Sequence, residues 1–488
     1  MHPMKPLTVG IVSFGVTLLL GAAAVGFWLT RRMPYELGLR VPGRDRPAGL
    51  TGQDVPEKIE GRLETLDGKP AEIRGEWPGF RGPTRENISD DMVELARSWP
   101  EDGPPVLWSM DVEQGHASVA VRAGRVYLHD YDSENREEVI RCLSLADGKD
   151  IWRYAYRVRI KRNHGVTRTV PAVAEKYLVA MGPKCHVTCL DPVSGELRWM
   201  IGLVRKYGTR IPTWYAGQCP LIDDGKAILA PCGNVTQYVG ADGQLVSRGE
   251  SVLMMAVDCE TGKVLWKTPN VDHWKMTHSS IATVELEDYT KMYVYCGSRG
   301  VVGVSAEDGK VLWKTDQWRI GIANVPTPVP AGEDRIFLTG GYGAGCMMIQ
   351  IVKEGQTYQP KTLFRLPPAK FASLQQTPIY YKNHLFATRP DQQFVCLSTA
   401  GEIVWASGRK HKFGQEGGPF LVADDLILLM NDSGELTLLE ATPESFKPLA
   451  RAKVLPGHHS WGPMALVGGR LIVRDLTHMV CLDVSKKK

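Results

Sequence analysis

A seven-residue phrase that ends in tryptophan recurs along this chain. It reads Ala146-Asp-Gly-Lys-Asp-Ile-Trp152, Val193-Ser-Gly-Glu-Leu-Arg-Trp199, Glu260-Thr-Gly-Lys-Val-Leu-Trp266, Glu307-Asp-Gly-Lys-Val-Leu-Trp313 and Thr399-Ala-Gly-Glu-Ile-Val-Trp405. In every copy a glycine stands four residues before the tryptophan. Trp108, in Val106-Leu-Trp-Ser, is a sixth copy without the glycine turn. A sustained internal period restricts a chain to repeat architectures, in which each unit buries its apolar face against its neighbours.

The spacing supplies the count. Trp108 to Trp152 is 44 residues, Trp152 to Trp199 is 47, and Trp266 to Trp313 is 47. The 67 residues from Trp199 to Trp266 indicate one unit with an insertion. The 92 from Trp313 to Trp405 indicate two units, with Thr362-Leu-Phe364 as a degenerate copy. A last degenerate copy falls near Pro448-Leu449. The result is eight units of about 45 residues, the length of a four-stranded propeller blade.

A second repeat gives the same number. Short alternating strands flank tight turns at Ser118–Tyr127, Val170–Val179, Pro220–Leu229, Ser280–Tyr295, Pro326–Leu338, Thr377–Phe386, Gly418–Leu429 and Gly462–Val473. Asp-Gly, Ala-Gly and Gly-Gly at several of these turns suit short hairpins. The chain ends on one more strand, Met479-Val-Cys-Leu-Asp-Val484. The predicted fold is an all-β, eight-bladed propeller of four-stranded antiparallel blades, over residues 77–488. The Trp108 strand is expected to complete the last blade, which hides both sheet edges.

The N-terminus follows another rule. Residues 6–30 carry no charge and lie between Lys5 and Arg31-Arg32. That length predicts a transmembrane anchor or uncleaved signal segment over 1–30, with a signal peptide cleaved near Ala22-Ala23-Ala24 as the competing reading. Residues 31–76, rich in Arg, Glu, Pro and Gly, read as a flexible polar linker. One basic residue precedes the span and five follow closely, which would hold the propeller in the cytoplasm. Large following domains cross largely regardless of such charges. A formal net charge of +4 argues against nucleic acid as a partner. Of the ten cysteines, Cys142, Cys189, Cys396 and Cys481 share one slot before the turn, where Cys packs as a small apolar residue. The other six have no zinc-like spacing, and a disulfide among them stays open.

The phrase Ala256-Val-Asp-Cys-Glu-Thr-Gly-Lys-Val-Leu-Trp266 resembles the blade motif of the pyrroloquinoline-quinone (PQQ) type propellers. That family includes quinoprotein alcohol dehydrogenases and BamB-type envelope proteins. Trp77-Pro-Gly-Phe-Arg-Gly-Pro83 resembles the lead-in of a bacterial PQQ-like subgroup. The resemblance implies that Trp108, Trp152, Trp199, Trp266, Trp313 and Trp405 pack between blades, as large flat rings suit. It also implies export, with the propeller on the extracytoplasmic side of the cell membrane. PQQ and calcium are the cofactors it makes possible. A dehydrogenase of this kind needs an Asp base and oxygen ligands, and often has a disulfide between adjacent cysteines. This chain has no adjacent Cys pair, no long insertions and no Cys-x-x-Cys-His. The expectation is therefore no cofactor and no catalytic residue: a BamB-like binding or scaffold module, monomeric, with envelope proteins or a small-molecule or peptide ligand as partners. The alternative is a PQQ- and calcium-dependent dehydrogenase of an alcohol or sugar.

Residues that the repeat does not explain cluster before the innermost strands, at one mouth of the channel. They are His116, His164, Arg168, Trp214, Tyr215, Gln218, His278, Asn324, Gln375, Gln376, His459 and Trp461. Their polar and aromatic chemistry suits a ligand pocket. No metal site is expected, because no ligands are locally spaced. Gly340-Gly-Tyr-Gly-Ala-Gly345 lacks the Gly-Lys-Ser/Thr ending of a phosphate loop and reads as a turn between strands. The basic run Arg153, Arg157, Arg159, Lys161, Arg162, Arg168 reads as a solvated strand face. His458-His459 has no triad partner.

Overall fold

The structure is a computed structural model that describes residues 17–23, 59–239, 244–414, 417–457 and 459–487. The chain divides into two units, 1–59 and 60–488. In the first, residues 17–23 are helical. No helix among the described residues is long and apolar enough to cross a membrane. The predicted transmembrane helix is thus not seen as such, and the rest of the apolar run 6–30 lies outside the described residues.

The second unit is the predicted all-β ring of eight antiparallel blades, seven of them four-stranded and the first extended by a fifth strand. Blades 1 to 7 span residues 119–157, 172–202, 221–269, 282–315, 329–366, 379–406 and 420–453. Blade 8 joins residues 465–483 to the early strand Val106–Asp111. That strand pairs antiparallel with the last one, from Val106 opposite Leu482 to Asp111 opposite His478. Closure by the Trp108 strand is as expected. The insertion before Trp266 is a separate two-stranded hairpin, Thr236–Val239 with Leu245–Arg248.

The recurring phrase has a geometric cause. In all eight blades the outermost strand is bulged, and the register skips one residue just before the tryptophan slot. The degenerate copies carry the same bulge, with Phe364 and Ala450 in the slot. A bulge raises local twist and re-aims the side chain beside it. Here it directs the ring at the next blade. A Cβ on Gly195 would stand 2.6 Å from Trp152, on Gly262 2.7 Å from Trp199, and on Gly309 2.4 Å from Trp266. Gly148 meets Trp108, and Gly401 meets Phe364, in the same way. Several indoles also donate across the seam, Trp108 to the Leu145 carbonyl, Trp199 to Cys259 and Trp405 to Thr442.

The four cysteines of the shared slot sit directly opposite the rings. Cys142 faces Trp152, Cys189 faces Trp199, Cys396 faces Trp405 and Cys481 faces Trp108. Blades 3 and 4 place Ala256 and Gly303 there. The slot takes small residues because the ring fills the space above it. All ten cysteines are free and buried.

One strand falls inside the segment read as linker. Gly61–Thr65, assigned to the flexible linker, is a fifth strand on the outer edge of blade 1, with Gly61 opposite Tyr156 and Thr65 opposite Trp152. Residues 77–97 then form a strap across the face opposite the predicted mouth. Trp77 bridges Val121 of blade 1, Arg85 donates to Thr283 of blade 4, Ile88 bridges Val422 of blade 7, and Leu95 bridges Ser485.

Candidate functional site

The connections entering the inner strands converge at one mouth of the ring and enclose a cavity of about 330 Å³. Eight of the twelve residues singled out from sequence line it: His116, His164, Arg168, Trp214, His278, Gln375, Gln376 and Trp461. The other four do not. Gln218 is fully buried and closes a pair of hydrogen bonds with the Ala230 backbone. Asn324 is buried as well, and its carbonyl accepts from the His278 N–H. Tyr215 turns outward, and its hydroxyl donates to the Lys161 carbonyl. His459 stacks on Trp461 at 4.3 Å and 11°. Loop side chains alternate in direction, so position before a strand does not decide which one faces the axis.

The structure adds lining residues that sequence reasoning did not single out, among them Phe80, Cys219, Ser280 and Tyr342. Phe80 comes from the strap, and its phrase Trp77–Pro83 was visible but read only as a domain start. Tyr342 belongs to the glycine-rich turn between strands Arg335–Gly340 and Gly345–Glu354.

The electrostatics of the mouth are one-sided. Among the described residues, its lining contains the Arg168 guanidinium and three histidines but no carboxylate. Arg168 donates to the carbonyls of Val166, Asn163 and His164, at 3.3, 2.9 and 2.8 Å. Burial lowers its pKa to about 10. Burial, then the charges of Arg168 and Arg474, push His116 down to about 3. Burial and Arg168 push His278 down to about 4. Both rings are therefore neutral at pH 7. Among the described residues, His278 Nε2 is buried without a hydrogen-bond partner, and so is His116 Nδ1. His116 Nε2 lies 3.2 Å from the His164 carbonyl, and its ring stacks on Trp461 at 5.1 Å. Such a cavity offers a cation, neutral imidazoles, amides and aromatic walls.

Comparison with known proteins places this architecture. The model of a family described as outer membrane protein assembly factor BamB matches residues 98–212 and 135–407. The chain belongs to this family of PQQ-like propellers. No curated protein matches the sequence. Among solved structures, BamB from Moraxella catarrhalis is similar at 13% identity and a TM-score of 0.51, over 78% of this chain and 99% of that one. A quinohemoprotein alcohol dehydrogenase from Pseudomonas putida HK5 is similar at 11% identity and a TM-score of 0.43, over 85% of this chain and 81% of that one. The likeness to the Moraxella catarrhalis BamB speaks for the fold alone.

The fit of PQQ and calcium can be tested on the lining. PQQ is anionic, and Arg168 with the aromatic walls is compatible with an anion. Calcium takes six to eight oxygen ligands, typically several carboxylates. The mouth has none, and among the described residues no group of three or more His, Cys, Asp or Glu is placed to hold a metal ion. The donor set does not suit the pair, and no carboxylate stands there to act as a base.

Proposed function

We propose that this chain is a non-catalytic binding module of the cell envelope, BamB-like in role. The apolar run 6–30 serves as its membrane anchor, and the propeller lies on the extracytoplasmic side. The ring acts as a rigid disc that presents loops to envelope proteins, and its mouth cavity takes a small-molecule or peptide ligand. The observation that carries this reading is the carboxylate-free lining around Arg168. The family match, whose description is an outer membrane assembly factor, agrees with it.

The test is a calorimetric titration of the full chain with PQQ and calcium, with thermal stability followed in parallel, and affinity capture from envelope membranes. The expected result is no saturable PQQ binding and specific recovery of envelope proteins with the full chain. Saturable, calcium-dependent PQQ binding with a stability gain would overturn the reading in favour of a quinoprotein dehydrogenase.

A further inference from the structure

Two cavities lie along the propeller axis, the 330 Å³ mouth and a second of about 480 Å³ on the strap face. Their walls have three residues in common, Phe80, Cys219 and Ser280. Phe80 is the only strap residue that reaches the mouth cavity. It remains half-buried, with open space on both sides.

The local sequence explains why a phenylalanine stands there. Gly79 to Gly82 form a tight turn, closed by the Gly82 N–H donating to the Gly79 carbonyl at 3.1 Å. Phe80 and Arg81 occupy its tip. Arg81 has φ +69°, as a type II turn requires at its third residue, where glycine is usual. The strain is offset by hydrogen bonds. The buried Arg81 guanidinium donates to the carbonyls of Arg85, Glu86, Thr377 and Pro378, at 2.9, 3.1, 3.2 and 3.0 Å. Those bonds tie the turn to blade 6. On the other side Gly79 packs on Ala172 of blade 2, and the Trp77 ring covers Gly82, leaving no room for a Cβ at 2.9 Å. A turn pinned at both ends cannot swing out without losing a buried cation's partners.

We propose that Phe80 is the septum of the axial channel, and that it sets the depth of the mouth cavity. The mouth then admits compact ligands that enter and leave by one opening. It refuses extended chains that would thread the ring. This rests on the reading of the mouth as a binding cavity, and the first of two tests is independent of that reading.

The first test uses Cys219, which lines both cavities and whose thiol accepts from the Val170 N–H. All ten cysteines are buried, so native full-length protein should react slowly with N-ethylmaleimide. Phe80→Ala opens the two cavities into one beside Cys219. Intact mass is expected to show one fast label per chain, gained at least about tenfold faster than in wild type. Phe80→Ala/Cys219→Ser is expected to lose it. A variant that labels at several cysteines has lost its fold, and Phe80→Val, which opens the channel while keeping an apolar side chain, then decides. Unchanged labelling in both variants overturns the septum.

The second test reads depth with linear carboxylates, from acetate to dodecanoate, titrated into the full chain. Each methylene that finds room gains about fourfold in affinity. In wild type the gain is expected to stop at a short chain length, and in Phe80→Ala at a longer one. The same cutoff in both overturns the septum as the limit of depth. Opening of Cys219 in Phe80→Ala with no carboxylate binding to any variant would leave the septum standing and remove the support for an anion-binding mouth.

Discussion

The ring of Trp199 lies against Gly262, 63 residues further along the chain and one blade away. The glycine and the tryptophan of one phrase therefore serve different seams. Each of the five phrase glycines receives the ring of the preceding blade, and Trp108, Trp152, Trp199, Trp266 and Trp405 reach forward to the next. Gly262→Ala is expected to destabilise the ring by about 2–4 kcal/mol, from overpacking plus the left-handed backbone at φ +70°. Gly225→Ala is the matched control, with φ +69° and open space around it. It should cost only about 1–2 kcal/mol. Denaturant unfolding of the two variants measures the difference, and equal losses would remove the packing part of the account.

Arg474 closes the ring chemically. Its buried guanidinium donates to the carbonyls of Ala117 and Glu113 in the lead to blade 1, and of Asp475 and Leu476 in blade 8. Arg474→Met removes all four bonds, leaving the Leu476 carbonyl only its Gly115 N–H partner, and should lower stability by about 3–5 kcal/mol. Arg474→Lys should restore little, because an ammonium cannot reproduce the planar fork. Melting temperatures of the two variants settle the point; a Lys variant as stable as wild type would show that charge alone suffices.

The neutral histidines of the mouth make a pH prediction. Both are held below the usual histidine range, so the unfolded chain binds protons that the folded chain refuses. Stability is then full above about pH 6.5 and falls as pH drops from there toward about 4 and 3. The loss is at most about 1.4 kcal/mol per pH unit for each ring. His116→Gln and His278→Gln should each flatten the acid limb of the stability curve. A limb of unchanged slope in both variants would place the acid sensitivity elsewhere.

One buried cluster outside the mouth is a further test of packing. Glu138 is fully buried between blades 1 and 2, with His129 Nε2 at 3.4 Å, His186 Nδ1 at 3.8 Å, and the Tyr156 hydroxyl donating to it. Burial pushes its carboxyl up, but the two imidazoles prevail and hold it down at about 2. Its contribution is therefore present above the ordinary Glu range and lost as pH falls through about 2. Gly182 has no room for a Cβ above this carboxylate. Glu138→Ala should cost about 3–5 kcal/mol, and Gly182→Ala should also destabilise. Thermal unfolding checks both, and a silent Glu138→Ala would mean that the carboxylate carries no weight in the seam.

Whatever repeats was legible in the sequence. Eight periods gave the blades, the lone Trp108 strand gave the closure, and the shared slot of Cys142 and Cys481 gave a packing site. What occurs once was not legible. Gly61-Arg-Leu-Glu-Thr65 carries two charges in five residues and reads as linker, yet its backbone pairs with a blade edge that needs no particular side chains. Phe80 depends on a turn whose purpose appears only when the ring is assembled around it. Gln218 and Asn324 occupy mouth positions by count, but satisfying buried backbone outweighs facing the axis for Gln218.

The clasp of Val106–Asp111 with His478–Asp483 sets a schedule for synthesis. The first of these strands leaves the ribosome 367 residues before its partner begins. At about 5–20 residues per second, it waits roughly 20–70 s with an unpaired edge. During that interval seven blades can stack while the ring stays an open arc, and a nascent chain stalled anywhere before residue 478 cannot close.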